Sequence, residues 1–229
     1  YIPESELGLH EMLSDEQKAK QLGYADHPVF TYRVAEMLKE PTHRVWGYPY
    51  ADLVMGCHMA NPTNVFRAMA KGDPYPVKAL ITLGNNTLLS YANQHQIFEG
   101  LMNQDLIVAH EIFMTPTAML ADYVLPGDVF TERNHVADSW SWTNRLSLSQ
   151  KAVEPPEEAS STFQFWTDLG RRMGFEEHFP WDTVEDILDY RLSRSNRTFA
   201  DFEESTYMEM PAPKFRKYRK TGFATPSGR

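Results

Sequence analysis

Residues 77–126, VKALITLGNNTLLSYANQHQIFEGLMNQDLIVAHEIFMTPTAMLADYVLP, constrain the fold of this chain more than any other stretch. Three apolar runs, VKALITL (77–83), DLIVA (105–109) and DYVLP (122–126), have the length and residue types of strands. Between the first two, the pattern predicts a helix from about Asn93 to Asn103, with Ile97, Phe98, Leu101 and Met102 on its apolar side. The turn TAMLA precedes the third run. Strand, helix, strand, helical turn, strand is the order of an α/β protein whose parallel sheet is joined by right-handed crossovers. Such sheets bind ligands beyond the carboxyl ends of their strands. Two polar clusters fall there, Gly84-Asn85-Asn86 after the first run and His110-Glu111 after the second.

The flanking sequence reads as helices and irregular chain. Ser14 and Gln17 form a capping-box signature for a short helix closing near Gly23. Residues 62–71 carry Val65, Phe66 and Met69 at helical spacing, with Asn61 or Thr63 as cap and Gly72 as stop. Farther on, 161–173 predicts an amphipathic helix with Phe163, Trp166, Leu169 and Met173 inward and Gly174 as its stop. A last helix opens at Asp182 or Thr183 with acidic residues in its first turn.

Composition narrows the function classes. The chain of 229 residues is 42% hydrophobic and 13% aromatic, as a folded protein requires. A net charge of -9 argues against a general affinity for nucleic acid. The run KFRKYRK (214–220) opposes that trend; it reads as a solvated surface segment, with a nucleic-acid patch as the alternative. A single cysteine, Cys57, allows neither an internal disulfide nor a cysteine-based zinc or iron-sulfur site within this chain. Cys57-His58 reads as a buried structural cysteine rather than a catalytic pair. The apolar runs are strand-sized, so no membrane span is expected. Starting at Tyr1 without methionine, the chain is expected to be cut from a longer protein.

Each polar cluster has two readings. Gly-Asn-Asn after a strand makes an ordinary turn, or it offers backbone N–H groups and amides to phosphate. His110-Glu111 could be hydrogen-bonded loop residues, an acid/base pair, metal ligands, or a grip on a ribose hydroxyl or guanine edge. The eight histidines show no metal-ligand spacing, and HEIFM is not a zinc-protease motif. Neither a GxGxxG nor a P-loop motif is present.

Four segments in order resemble the catalytic subunits of the molybdopterin oxidoreductases, the dimethyl sulfoxide reductase family. They are KALITLGNNTLLSYAN, DLIVAHEIFMTPTAMLADYVLPGDVFTER, KAVEPPEEASSTFQFWTDLGRRMG and GFATPSGR, spanning residues 77–229. The resemblance implies a Rossmann-like three-layer parallel sheet with flanking helices, plus irregular and helical extensions. Residues 77–160 would hold a molybdopterin guanine dinucleotide, 1–76 a mixed helical and loop extension, 161–213 a helical segment, and 214–229 a linker toward a further domain. Gly84, Asn85 and Asn86 would face the dinucleotide at the first strand end, and His110 and Glu111, where the family usually has Gln-Asp, would contact its nucleoside end. Thr115 and Thr117 would lie on the following loop, and Glu132 matches the acidic residue after the third strand. Thr87 stands where the family has proline and His135 where it has glycine.

By the same resemblance the chain is an internal fragment of a larger enzyme, inactive alone. It would bind part of a bis(molybdopterin guanine dinucleotide) cofactor of molybdenum or tungsten for two-electron redox or oxygen-atom transfer. The metal ligand and a 4Fe-4S cluster would lie elsewhere in the protein. Partners would be the rest of the catalytic chain, an electron-transfer iron-sulfur subunit and a small-molecule substrate, in a prokaryotic periplasm or cytoplasm. The family also has a non-redox member, so a hydratase fits. The alternative from another class is a non-catalytic nucleotide-binding or interaction module on the same scaffold.

Overall fold

Local signals set the first helices. The computed structural model describes residues 13–28, 31–46, 60–138, 145–202, 207–209, 215–216 and 218–223. Helix α1 (Asp15–Ala19) opens on the predicted box: Ser14 Oγ accepts from Gln17 N–H at 3.2 Å, and Gln17 Oε1 from Ser14 N–H at 2.8 Å. It stops short of Gly23, which takes a left-handed turn (φ 93°) where a Cβ would lie 2.6 Å from that of Asn61. Helices α2 (Tyr32–Trp46) and α3 (Pro62–Lys71) follow. Asn61, not Thr63, caps α3 through Asn64 N–H at 3.3 Å, and left-handed Gly72 ends it. Phe66 and Met69 are buried. Cys57 and His58 lie outside the described residues. These helices belong to one compact unit, the described residues of 7–77 and 213–229; the described residues of 78–212 form the other.

In the second unit the three apolar runs become strands β1 (Ala79–Leu83), β2 (Leu106–Glu111) and β3 (Tyr123–Pro126), parallel and in the order β1-β2-β3. A one-turn helix α4 (Thr87–Ser90) and helix α5 (Gln94–Met102) connect the first two. Asp122 fixes the register at the amino end: its carboxylate accepts from Ile107 N–H at 2.7 Å, while its own N–H donates to Ile107 O at 2.9 Å. Strand β2 runs past the predicted Ala109, because His110 pairs with Leu83 on one side and Leu125 on the other. Two strand partners outweigh the polar character of the residue.

Helix α5 buries Ile97, Gly100 and Leu101, a stripe one residue wide per turn. The predicted inward face was broader: Phe98 and Met102 lie about 100° around the helix from Ile97 and Leu101, and both are exposed.

A second sheet is antiparallel and was not foreseen. Strands β4 (His135–Asp138), β5 (Arg145–Ser149) and β6 (Tyr207–Glu209) pair in that order, β5 meeting β6 from Arg145↔Glu209 to Ser147↔Tyr207. Helix α6 (Thr162–Arg172) is capped by Ser161, and helix α7 (Val184–Leu192) opens on a capping box of Thr183 and Asp186. Val136 and Leu148 from the sheet pack with Leu188 and Leu192 of α7 and with Phe199 and Phe202 into one apolar core. Helix α6 turns Thr167 and Gly170 inward, whereas Trp166 and Met173, predicted inward, are exposed. The cause is the Phe179 ring, which presses on the helix so closely that a Cβ on Gly170 would lie 2.2 Å from it. The described residues of the basic run, Phe215, Arg216 and Tyr218 to Lys220, are exposed, and α8 (Tyr218–Thr221) starts at its end. Among the described residues no helix is long and apolar enough to cross a membrane.

Candidate functional site

Strand β1 ends in a turn that the sequence encodes locally. Gly84 takes φ 56°, with nothing within 4 Å of where a Cβ would stand, so backbone conformation rather than space calls for glycine there. Its N–H donates to His110 O at 2.9 Å, tying the turn to β2. The Asn85 carbonyl accepts from the Thr82 hydroxyl at 2.9 Å and from Thr87 N–H at 3.0 Å. The Asn85 side-chain amide and the backbone N–H groups of Asn85 and Asn86 make no hydrogen bond among the described residues.

Asn86 is committed differently. Its side chain does not cap α4, because Thr117 engages it: the Thr117 hydroxyl donates to Asn86 Oδ1 at 2.9 Å and Thr117 N–H approaches it at 3.4 Å. Thr117 Oγ1 in turn accepts from Leu88 N–H at 2.9 Å. Thr117 is fully buried, and its one hydroxyl latches the loop after β2 to the turn after β1.

Successive residues of a strand point to opposite faces, so His110 and Glu111 part company. The His110 ring, 4% exposed, places Nε2 2.9 Å from Ser160 O and packs 5.6 Å from the Phe165 ring of α6. Glu111 is 8% exposed, and its carboxylate has no hydrogen bond or ion pair among the described residues. Its oxygens remain open to solvent although the residue is mostly buried, so this carboxylate is free to take donors from a ligand. Two further predicted residues serve their own turns. Thr115 Oγ1 accepts from Ala118 N–H at 3.2 Å, and Glu132 Oε2 accepts from Val129 N–H at 2.9 Å. Among the described residues no hydrogen bond joins Glu132 to the cluster at the strand ends.

Hydrogen bonds thus tie Gly84 to His110 and Asn86 to Thr117 at the carboxyl end of the parallel sheet, with the side chains of Asn85 and Glu111 beside them and unbonded among the described residues. Sequence reasoning missed Gly127 and Ser160, which enclose His110. Gly127 follows the third predicted strand and could have been flagged; Ser160 carried no local signal. Among the described residues no group of three or more His, Cys, Asp or Glu side chains is placed to hold a metal ion. What the site offers is unpaired N–H groups, an amide and a carboxylate, the complement of a ligand bearing both phosphate oxygens and N–H donors.

The family model of the molybdopterin oxidoreductases matches residues 35–172, which include every residue of this cluster. The chain belongs to that family. The match begins well before residue 77, so residues 35–76 share in a likeness that the sequence motifs carry only from 77 onward. Over all 229 residues the chain is 44% identical to acetylene hydratase of Syntrophotalea acetylenica, covering 31% of that protein. It is 28% identical over 141 residues to the thiosulfate reductase molybdopterin-containing subunit of Salmonella typhimurium, 61% of this chain and 19% of that one. The solved structure of acetylene hydratase from Pelobacter acetylenicus matches with a TM-score of 0.85 at 43% identity, over 100% of this chain and 31% of that chain. The chain therefore spans about a third of the length of the acetylene hydratases it matches.

Proposed function

We propose that this chain forms one wall of the dinucleotide pocket of a molybdenum or tungsten enzyme, binding part of a bis(molybdopterin guanine dinucleotide) cofactor. The observation that carries this reading is the pairing of Glu111, whose solvent-open carboxylate has no partner among the described residues, with the Asn85 side-chain amide and the N–H groups of Asn85 and Asn86, also unbonded among the described residues, at the neighbouring strand end. The N–H groups and the Asn85 amide suit phosphate oxygens, and the Glu111 carboxylate suits the N–H edge of guanine. The parallel sheet is then the centre of a Rossmann-like three-layer arrangement over 77–160. Thr117 and His110 hold these groups in place, and Thr115 and Glu132 shape the adjoining turns. When bound, the group supplies the metal for two-electron redox or oxygen-atom transfer; these residues bind it, orient it and exclude water. An iron-sulfur partner subunit and a 4Fe-4S cluster outside this segment would carry the electrons.

Metal and guanine nucleotide in the full-length protein, purified without oxygen, test the reading. About two guanine nucleotides per metal ion are expected for a bis-dinucleotide cofactor, falling in Glu111→Ala and Asn85→Ala variants. A folded protein from a cofactor-making host with neither metal nor nucleotide would overturn it and leave a reused scaffold.

A second reading concerns the reaction. Identity of 44% to acetylene hydratase along the whole chain favours addition of water to a carbon-carbon triple bond, with no net electron transfer. Carbonyl product formed from acetylene without an added electron acceptor supports it. Activity only with a redox dye or a physiological acceptor supports the oxidoreductase.

A further inference from the structure

We propose that His110 is a positioning residue that sets the Glu111 carboxylate and the Gly84–Asn86 turn through a tie to Ser160 and Gly127; this rests on the cofactor-binding reading above. A carbonyl oxygen only accepts, so the 2.9 Å contact between Nε2 and Ser160 O requires the proton on Nε2. Ser160 Oγ stands 3.3 Å from the same nitrogen. On the ring's other edge a Cβ at position 127 would lie 3.1 Å from Cε1 and 3.3 Å from Nδ1. The imidazole thus sits a few tenths of an ångström too close for a side chain at 127 to be added without a small shift. Glycine there and histidine at 110 are one device.

The backbone around the ring forms a strap. Gly127 N–H donates to Glu111 O at 3.0 Å, Ser160 N–H to Pro126 O at 3.0 Å, and Asp128 N–H to Ser160 O at 3.2 Å. Gly127 and Ser160 bridge in parallel, so Ser160 lies beside the end of β3 as a further, one-residue strand. The Ser160 carbonyl is shared by the Asp128 N–H and the His110 ring. The next residue after His110 is Glu111, and the His110 carbonyl receives Gly84 N–H at 2.9 Å. Through its ring this one residue grips the strap that leads into α6. Through its backbone it grips the turn that offers Asn85 and Asn86. Displacing the ring shifts both sets of ligand-facing groups, although the imidazole itself faces away from them. The amide of glutamine, the family's usual residue here, carries an N–H donor that can replace Nε2.

The test measures guanine nucleotide retained per folded full-length protein after gel filtration. His110→Ala should lower it about tenfold, as loss of an outer-shell partner does at metal sites, while His110→Gln keeps most of it. Gly127→Ala should lower it by less, because the new methyl pushes the ring by only a few tenths of an ångström. Added to His110→Ala it should cost nothing more, since the space is then free. Leu192→Ala, in the antiparallel core, serves as a control for destabilisation and should retain nucleotide. Full retention in His110→Ala, loss in His110→Gln equal to that in His110→Ala, or equal loss in Leu192→Ala would each overturn the positioning role. If His110→Ala does not fold, the contrast between His110→Gln and Gly127→Ala decides. Wild type without guanine nucleotide would overturn the cofactor reading, and this inference with it; wild type with nucleotide and indifferent variants would overturn this inference alone.

Discussion

The two sheets of the larger unit treat their polar groups in opposite ways. The antiparallel sheet with α7 closes on apolar side chains, Val136, Leu148, Leu188, Leu192, Phe199 and Phe202. Around it, the Thr183 and Asp186 side chains each accept from the other residue's backbone N–H. The parallel sheet satisfies its amino end through Asp122 and leaves Asn85 and Glu111 uncommitted at its carboxyl end. One sheet spends its residues on stability; the other keeps solvent-open side chains unbonded among the described residues at one end. Uncommitted polar groups at one end of an otherwise well-bonded sheet mark a site more sharply than any pocket outline.

The comparison can be broken most severely at Leu192. Leu192→Ala should destabilise the protein by about 2–5 kcal/mol by opening a cavity in the apolar core, read as a fall in Tm with cofactor content unchanged. A loss of cofactor in step with Tm would erase the distinction between the sheets. Thr117→Val keeps shape but orphans Leu88 N–H and leaves Asn86 Oδ1 only the 3.4 Å approach of Thr117 N–H, a cost of about 1–3 kcal/mol. Unlike Leu192→Ala, it should lower guanine nucleotide and Tm together. Thr183→Ala removes the cap of α7 and should cost about 1 kcal/mol, visible in the melt and absent from cofactor content.

The smallest effect belongs to Asp186. The Thr183 hydroxyl, then the Thr183 backbone N–H, hold its carboxyl below the usual carboxylate range. A depressed folded pKa stabilises above the unfolded value of about 3.8, and that contribution is lost as pH falls through the folded pKa. Melts of wild type and Asp186→Asn should therefore converge as the medium is acidified below pH about 4. A gap that widens with acid would reverse the sign.

Legibility followed sequence distance. The caps Asn61, Ser14 and Thr183, the stop at Gly72 and the three parallel strands depend on neighbours within a few residues, and their signals stood in the chain. The partners Asn86 and Thr117 were both singled out, though nothing local says that one hydroxyl joins them. The antiparallel sheet escaped notice because HVAD and YME are short and lack a clean alternation, and because RLSLS, which does alternate, meets its partner Glu209 only across a long excursion. Helix faces failed for a related reason. Phe98, Met102 and Trp166 have the composition of an inward face, but only Ile97, Leu101 and the Gly170–Phe179 contact, set by tertiary packing, say where inward is.

The spacing of strand partners also orders events during synthesis. Ribosomes deliver the chain from its amino end, and domains form as their parts emerge. Everything β1, β2 and β3 need for one another has left the exit tunnel soon after Pro126, whereas β5 waits for β6 at residues 207–209. Local pairing is also the quicker to form. The nascent protein therefore holds its Asn85 and Glu111 groups in place before the sheet that stabilises the unit has closed.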